Sequence, residues 1–177
     1  MKDILIVVDV QKDFVYGTLG TPEAQNMLPI LLKKVQDFNG TVILTQDTHM
    51  TDYLDTQEGR LLPIPHCIEG TPGWELTAEL KILQEKAGYT VYKKPTFGST
   101  LLTADLCALY EQGNLNSVEL IGLCTDICVV SNALLFKANM PELPIYVDAV
   151  CCAGVTPEKH KAALEVMSSC QIIVKGK

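Results

Sequence analysis

The sequence predicts one α/β domain with a three-layer α/β/α architecture, in which helices cover both faces of a mostly parallel, six-stranded, doubly wound sheet. The first observation is that six short apolar runs alternate along the chain with segments of helical periodicity. The second is that 177 residues, 47% of them hydrophobic and 20% charged, suffice for one large core but not for two ordinary domains. We therefore interpret residues 1–177 as a single domain.

The first half of the chain contains three predicted strands and one long irregular stretch. Residues 4–10 form an aliphatic, largely β-branched run that only Asp9 interrupts, which is typical of a strand buried on both faces. The elements after it are a helix over 23–38, a strand over 41–45, a helix over 74–84 and a strand over 89–92. Residues 47–71 show no period and contain two prolines and two glycines. A stretch of that kind inside a compact domain is usually functional.

The second half repeats the alternation of helix and strand. Its predicted elements are a helix over 101–111, strands over 118–121, 145–147 and 171–174, and helices over 127–138 and 157–168. Gly122 ends the fourth strand, and Thr125 and Asp126 offer side chains that could cap the next helix. Cys128 is therefore expected in the first turn of that helix.

The composition argues against several classes of protein. A net charge of -7 without a basic stripe disfavours binding to nucleic acid. No apolar run approaches the roughly 18 residues that a membrane span requires. The N-terminal apolar run is too short for a signal peptide and is interrupted by Asp9. Seven cysteines without zinc-ribbon spacing favour free thiols in a reducing compartment, so we expect a cytoplasmic protein.

Polar side chains follow the ends of several predicted strands. They are Asp9, Asp47, His49, Lys94 and Cys128. In parallel α/β sheets, ligands bind at the carboxyl ends of the strands. The sequence therefore predicts an active site at this edge of the sheet.

One group of these residues suits cysteine hydrolysis. A thiol at Cys128 would meet a helix N-terminus, which favours the thiolate. The apolar end of the first strand could raise the pKa of Asp9 and suit it to proton transfer, and Lys94 could pair with both groups. The backbone N–H groups around Cys124 and Cys128 could bind an oxyanion. A small buried packing residue is the alternative interpretation of Cys128. We interpret Asp13 as solvated or capping.

A second group suits a metal ion. Asp47 and His49 are two residues apart, so they lie on one side of an extended segment, and His66 follows in the same irregular stretch. Carboxylate and imidazole ligands suit Zn, Fe or Mn. This spacing alone leaves a metal site and ordinary loop polar residues equally open.

Four motifs together resemble the isochorismatase-like cysteine hydrolase superfamily, and within it the nicotinamidases. Residues 8–14 (VDVQKDF) resemble the pattern D-x-Q-x-D-F, and residues 94–100 (KPTFGST) resemble K-x-x-(F/Y)-S-x-F. Residues 122–129 (GLCTDICV) match G-x-x-T-D-x-C-V. The metal motif D-x-H … P-H-C-x-x-G-T-x-G matches residues 47–49 and 65–73. The resemblance covers nearly the whole chain.

The resemblance implies the isochorismatase-like hydrolase fold and an amidase mechanism. It assigns the nucleophile to Cys128, the proton-transferring carboxylate to Asp9 and the activating ammonium to Lys94. It also implies a cis peptide before Cys124, which aims the N–H groups of Cys124 and Cys128 at the oxyanion. The expected reaction converts nicotinamide, or a similar small amide, to an acid and ammonia through a thioester.

The resemblance further implies a divalent metal, Zn first with Fe or Mn as alternatives, and a homo-oligomer, either dimer or tetramer. The metal ligands carried over are Asp47, His49 and His66. Relatives use a further ligand between the two histidines, where this chain has no histidine. Glu58 is the best candidate for that ligand, followed by Asp52 and Asp55.

The substrate pocket also departs from the family pattern. Many nicotinamidases place an aromatic residue three positions before the second histidine, and this chain has Pro63 there. We therefore expect Phe14 and Phe97 to supply an aromatic wall beside Pro63, or the substrate to differ. The aromatic residue expected just after Ser99 and Thr100 is also missing.

Three alternative functions stay open at this point. One is the hydrolysis of another small amide or carbamoyl substrate. Another is isochorismatase activity proper, which needs neither the cysteine nor the metal residues. The last is a non-catalytic α/β binding module, which the lack of a glycine-rich phosphate loop after the first strand disfavours.

Overall fold

The computed structural model describes residues 1–176 and confirms the predicted fold class. Six parallel strands form one sheet in the order β3-β2-β1-β4-β5-β6. The strands are β1 (Lys2–Val8), β2 (Thr41–Asp47), β3 (Thr90–Lys94), β4 (Leu115–Leu123), β5 (Ile145–Ala153) and β6 (Ile173–Lys175). This is the doubly wound order, in which the chain reverses direction across the sheet between β1 and β4.

Helices cover both faces of the sheet. They are α1 (Lys12–Val15), α2 (Pro22–Asp37), α3 (Gln57–Leu61), α4 (Ala78–Ala87), α5 (Thr100–Glu111), α6 (Val130–Asn139) and α7 (Pro157–Ser169). Side chains of α5, α6 and α7 pack on one face, and those of α1, α2 and α4 pack on the other. Among residues 1–176, no helix is both long and apolar enough to cross a membrane.

The alternation of side chains along β1 explains why a separate hydrophobic core lies on each face of the sheet. Ile4 and Ile6 belong to the core beneath α5, α6 and α7, whereas Leu5 and Val7 belong to the core beneath α2 and α4. All four side chains are at most 1% exposed. A strand that buries both faces must be apolar at every position, as the sequence analysis assumed for this run.

The sheet brings the predicted polar residues together. Asp9 directly follows β1, Asp47 ends β2 and Lys94 ends β3. Gly122 lies near the end of β4 with φ of 117°, and a Cβ there would lie 2.2 Å from the carbonyl oxygen of Val8. Only glycine allows β1 and β4 to approach each other this closely, directly below the site.

Two helix starts differ from the prediction. The helix predicted over 74–84 begins only at Ala78, because the carbonyl of Glu75 and the N–H of Thr77 bond to the chain around α1. The helix predicted from Ile127 is preceded by a π-helical turn, Thr125–Val129, and this turn contains Cys128. The capping role predicted for Thr125 and Asp126 is wrong, since no side chain caps this turn.

Candidate active site

Lys94 stands at the centre of a buried polar cluster. Its Nζ lies 2.6 Å from Oδ2 of Asp9, 3.3 Å from Oδ1 of Asp47 and 3.4 Å from Sγ of Cys128. None of these four residues is more than 4% exposed. The residues that the sequence assigned to cysteine hydrolysis therefore meet within contact distance around one ammonium group.

Asp9 is held between its own strand and the next. Its backbone has a φ of 48°, and its Oδ1 accepts a 2.6 Å hydrogen bond from the hydroxyl of Thr45 on β2. Burial raises the pKa of Asp9 above its usual value, while the ammonium of Lys94 acts in the opposite direction. A carboxyl group with a raised pKa is better suited to accept and return a proton.

The protonation state of Cys128 differs from the thiolate that the sequence predicted. Burial raises the pKa of this thiol well above its ordinary value, the carboxylate of Asp9 raises it further, and Lys94 opposes them. Desolvation therefore outweighs the helix terminus and the ammonium, so the resting thiol keeps its proton. Asp9 and Cys128 both contact the ammonium of Lys94, at 2.6 Å and 3.4 Å from its Nζ. A carboxylate placed beside a thiol in this way can accept its proton.

We expect Lys94→Met to slow alkylation of Cys128 by iodoacetamide at every pH below the thiol pKa. The variant removes the only group in this cluster that lowers the thiol pKa, and it leaves two buried carboxylates without their cation. Loss of one partner of a buried ion pair costs about 3–5 kcal/mol, so the melting temperature should also fall. Lys93→Met is the matched control, because the side chain of Lys93 is exposed on the opposite side of the strand. An unchanged alkylation rate in Lys94→Met would remove lysine from this role.

A second cluster adjoins the first through Asp47. The ligand atoms of Asp47, His49 and His66 all lie within 4.8 Å of one another. Oδ2 of Asp47 is 3.1 Å from Nε2 of His49 and 3.7 Å from Nε2 of His66. A carboxylate and two imidazoles that converge in this way form a donor set for Zn, Fe or Mn.

Glu58 reaches this cluster from α3. Its Oε1 is 3.7 Å from Nε2 of His49 and 3.9 Å from Nε2 of His66. Asp52 and Asp55, the other candidates for the last ligand, are exposed. Within residues 1–176, Glu58 is therefore the best-placed candidate among the three.

Gln11 was not predicted as a site residue. Its side-chain amide binds the backbone of Asp47. The Gln11 amide donates to the carbonyl of Asp47 at 2.9 Å and accepts from its N–H at 2.7 Å, and it also donates to the carbonyl of Trp74. The glutamine side chain is fully buried. Such outer contacts fix the orientation of a ligand-type side chain. The signal in the sequence was the glutamine of the D-x-Q-x-D-F pattern, to which the sequence analysis gave no role.

Asp13 supports His66 in a similar way, so its interpretation as a solvated or capping residue was wrong. Its carboxylate accepts a 2.8 Å hydrogen bond from the N–H of Cys67, the residue after His66. Nδ1 of His66 is 2.9 Å from the carbonyl oxygen of Ile64, and Nε2 is the ring nitrogen that faces the cluster. The turn therefore fixes both the position and the orientation of the imidazole.

Both clusters open into one cavity of about 370 Å³. Its polar lining comes from Cys128, Cys124, Asp47, His66, Glu58 and Gln57, and its apolar lining from Phe14, Leu19, Leu61, Leu62, Phe97 and Ile127. The two phenylalanines line the cavity as expected. Pro63 does not: it is exposed, and Leu61 and Leu62 form the wall at that point.

The isochorismatase domain model matches residues 3–175 of the chain. The chain belongs to the isochorismatase family. It is 33% identical over 173 residues to an uncharacterized isochorismatase family protein, PncA, of Bacillus subtilis, with 93% of each chain covered. It is 27% identical to the nicotinamidase/pyrazinamidase of Mycobacterium tuberculosis, with 95% of each chain covered. The crystal structure of the Bacillus subtilis nicotinamidase/pyrazinamidase superimposes with a TM-score of 0.84 at 29% identity, covering 99% of this chain and 100% of that one.

Membership of the isochorismatase family confirms the resemblance drawn from the motifs. The chain is a hydrolase of this family, as the sequence predicted. The peptide bond between Leu123 and Cys124 is cis, at the position that the resemblance implied.

Proposed function

We propose that this isochorismatase-family hydrolase converts nicotinamide to nicotinate and ammonia through a thioester on Cys128. The observation that carries the proposal is the convergence of Cys128, Asp9 and Lys94 beside a cavity that also exposes Asp47, Glu58 and His66. Two of the relatives described above are named nicotinamidase/pyrazinamidase, which supports the same substrate class.

The first half of the proposed reaction forms the thioester. The S–H of Cys128 transfers its proton to Asp9, and the sulfur attacks the carboxamide carbon. The electron pair of the C=O bond moves to oxygen, where the N–H groups of Cys124 and Cys128 are proposed to bind the oxyanion. Lys94 stays protonated and balances the negative charge as it moves from carboxylate to sulfur to oxygen.

The second half releases both products. As the oxyanion collapses, the C–N bond breaks and Asp9 returns its proton to the nitrogen, so that ammonia leaves. Asp9 then takes a proton from water, and the resulting hydroxide attacks the thioester carbon. The C–S bond breaks, the sulfur recovers a proton through Asp9, and the acid is released. One carboxylate thus serves twice as base and twice as acid.

The donor set of the second cluster fits a divalent metal, with Zn first and Fe or Mn as alternatives. Asp47, His49, His66 and Glu58 would hold it. When bound, such an ion supplies a Lewis-acid site that can hold a ring nitrogen or ordered water and so position the amide. A cytoplasmic location and a homo-oligomeric assembly, dimer or tetramer, belong to the same proposal on the sequence grounds given above.

We expect Glu58→Gln to weaken binding of Zn²⁺ by at least about 10-fold, because the variant removes the charge that faces both imidazoles. Competition against a fluorescent chelator measures the affinity without any use of activity. Asp55→Asn is the matched control, since this carboxylate is exposed and lies three residues away. Equal affinities for Glu58→Gln and the wild type would reassign the last ligand.

Ammonia release from nicotinamide, pyrazinamide and benzamide tests the proposed function, with Zn, Mn and Fe supplied separately. Nicotinamide and pyrazinamide should be turned over. Benzamide, which lacks the ring nitrogen, should show a higher KM. This chain has Pro63 at the position where many nicotinamidases have an aromatic residue, and the neighbouring Leu61 and Leu62 line the cavity. KM for nicotinamide should therefore exceed that of aromatic-lined relatives, by the equivalent of about 0.5–1.5 kcal/mol of lost stacking.

Two outcomes would change the proposal. Equal kcat/KM for the three amides would show that the enzyme does not recognise the ring nitrogen. No turnover of any of them, with Cys128 still alkylated by iodoacetamide, would reject nicotinamide and favour another small amide or carbamoyl substrate for the same residues.

A further inference from the structure

The π-helical turn Thr125–Val129 carries Cys128 and begins directly after Cys124. The carbonyl of Cys124 accepts hydrogen bonds from the N–H groups of Ile127 and Val129, each at 3.1 Å. The carbonyl of Thr125 accepts the N–H of Val130, which is the wider hydrogen bond of a π-turn. Any rotation of this turn would therefore displace the sulfur of Cys128 together with the Cys128 N–H proposed to bind the oxyanion.

An imidazole from another element holds the start of this turn. Nδ1 of His160 lies 2.8 Å from the hydroxyl oxygen of Thr125, and the Thr125 side chain is fully buried. His160 is the fourth residue of α7, and its N–H bonds to the carbonyl of Thr156 at 2.9 Å. The hydroxyl of Thr156 caps the same helix by accepting the N–H of Lys159. The imidazole is thus attached to the N-terminal turn of α7, which is held in place by its own hydrogen bonds.

The next residue of the turn, Asp126, is bonded to the connection between β5 and α7. Oδ1 of Asp126 accepts a 2.9 Å hydrogen bond from the N–H of Val155, which lies between β5 and α7. Gly154 lets these segments approach, because a Cβ there would lie 2.8 Å from Oδ1 of Asp126 and 2.9 Å from the nitrogen of His160. Two consecutive side chains of the turn are therefore anchored, Thr125 to α7 and Asp126 to the connection that precedes α7.

We propose that His160 is a positioning residue for the reaction, and that it acts through the Thr125 hydroxyl to fix the turn that carries the sulfur and the N–H of Cys128. The proposal rests on the proposed function of that turn. His160 does not reach the reacting atoms: its ring borders a separate surface cavity, which is also lined by Lys161, Leu164 and Glu165. Displacement of a catalytic group by about 1 Å can cost a factor of roughly 100 in rate.

Two substitutions of His160 separate a hydrogen-bonding role from a packing role. The amide group of asparagine stands as many bonds from Cα as Nδ1 of histidine does, so His160→Asn can restore the bond to Thr125. His160→Gln places its amide one bond further out. Thr125→Val removes the hydroxyl from the other side at nearly constant volume. Lys161→Ala, which alters the neighbouring residue on α7, is the matched control.

The test combines hydrogen exchange of the peptide spanning residues 122–130 with steady-state ammonia release from nicotinamide. In His160→Gln and Thr125→Val, exchange of this peptide should accelerate by about 10-fold, since local opening becomes easier. In the same variants kcat should fall by about 10- to 100-fold, with KM within about 2-fold. His160→Asn and Lys161→Ala should stay within about 2-fold of the wild type in both measurements.

Three results would overturn the proposal: unchanged exchange in both His160→Gln and Thr125→Val, an unchanged kcat in both, or an equal loss in His160→Asn and His160→Gln. Hydrogen exchange needs no substrate. If the wild type released no ammonia while exchange followed the expected pattern, the proposed substrate would fail and the anchoring of the turn by His160 would stand.

Discussion

Cys128→Ala is expected to abolish ammonia release while leaving the fold intact. The substitution removes one sulfur atom and little packing volume: Cys128 belongs to the core beneath α5, α6 and α7, and its sulfur faces Nζ of Lys94 at 3.4 Å. Asp9, Asp47 and Lys94, which form one cluster with the sulfur, are two carboxylates and an ammonium, and these are far weaker nucleophiles toward a carboxamide carbon than a thiolate. The melting temperature should stay close to that of the wild type, and activity should fall to the level of the uncatalysed reaction.

The other thiols of the chain provide the controls for Cys128→Ala. Cys107 is half-buried on α5, and burial raises the pKa of Cys67 and Cys124 as it does that of Cys128. What distinguishes Cys128 is the contact between its sulfur and the Lys94 ammonium at 3.4 Å. Cys107→Ala, Cys67→Ala and Cys124→Ala should all be much milder. Iodoacetamide should label Cys128 in the native protein, and nicotinamide should protect it. Faster labelling of another cysteine, together with activity in Cys128→Ala, would show that the mechanism is wrong.

Much of the fold could be predicted because parallel sheets leave a clear pattern. The run at β1 is apolar at successive positions because both of its faces are buried, and Gly122 and Gly88 mark changes of direction. The predicted limits of α4 were less accurate, since this helix begins only at Ala78. The residues before Ala78 have helical spacing, but their backbone groups bond to the chain around α1, and such a tertiary contact leaves no trace in local periodicity.

The candidate site could be predicted where a side chain directly follows the end of a strand. It was less predictable where burial or a contact with a distant residue determines the protonation or the hydrogen-bond partner of a side chain. The positions of Asp9, Asp47 and Lys94 follow from strand order alone. The raised pKa of Cys128 does not, because the helix-terminus argument omitted the desolvation of the thiol. Thr125 was expected to cap a helix and instead bonds His160, 35 residues further along the chain. A hydroxyl forms a hydrogen bond in either arrangement, so the sequence pattern does not distinguish them.

Asp9→Asn is expected to lower kcat by about 10²–10⁴ with a much smaller change in KM, since the variant keeps the shape of the carboxylate but cannot accept the thiol proton. The amide can still accept the hydrogen bond from Thr45, so the side chain should stay in place.

The same substitution removes the negative charge 2.6 Å from the Lys94 ammonium, which leaves Asp47 as the only carboxylate beside that lysine in the described residues 1–176. The Cys128 thiol then loses a neighbour that raises its pKa, so alkylation by iodoacetamide should persist or accelerate while turnover collapses. This opposite response of alkylation and turnover distinguishes a lost proton carrier from a damaged nucleophile. Asp105→Asn is the control, because the Asp105 carboxylate accepts a hydrogen bond from Tyr92 at the surface. A kcat within about 10-fold of the wild type in Asp9→Asn would assign the proton transfer to another group.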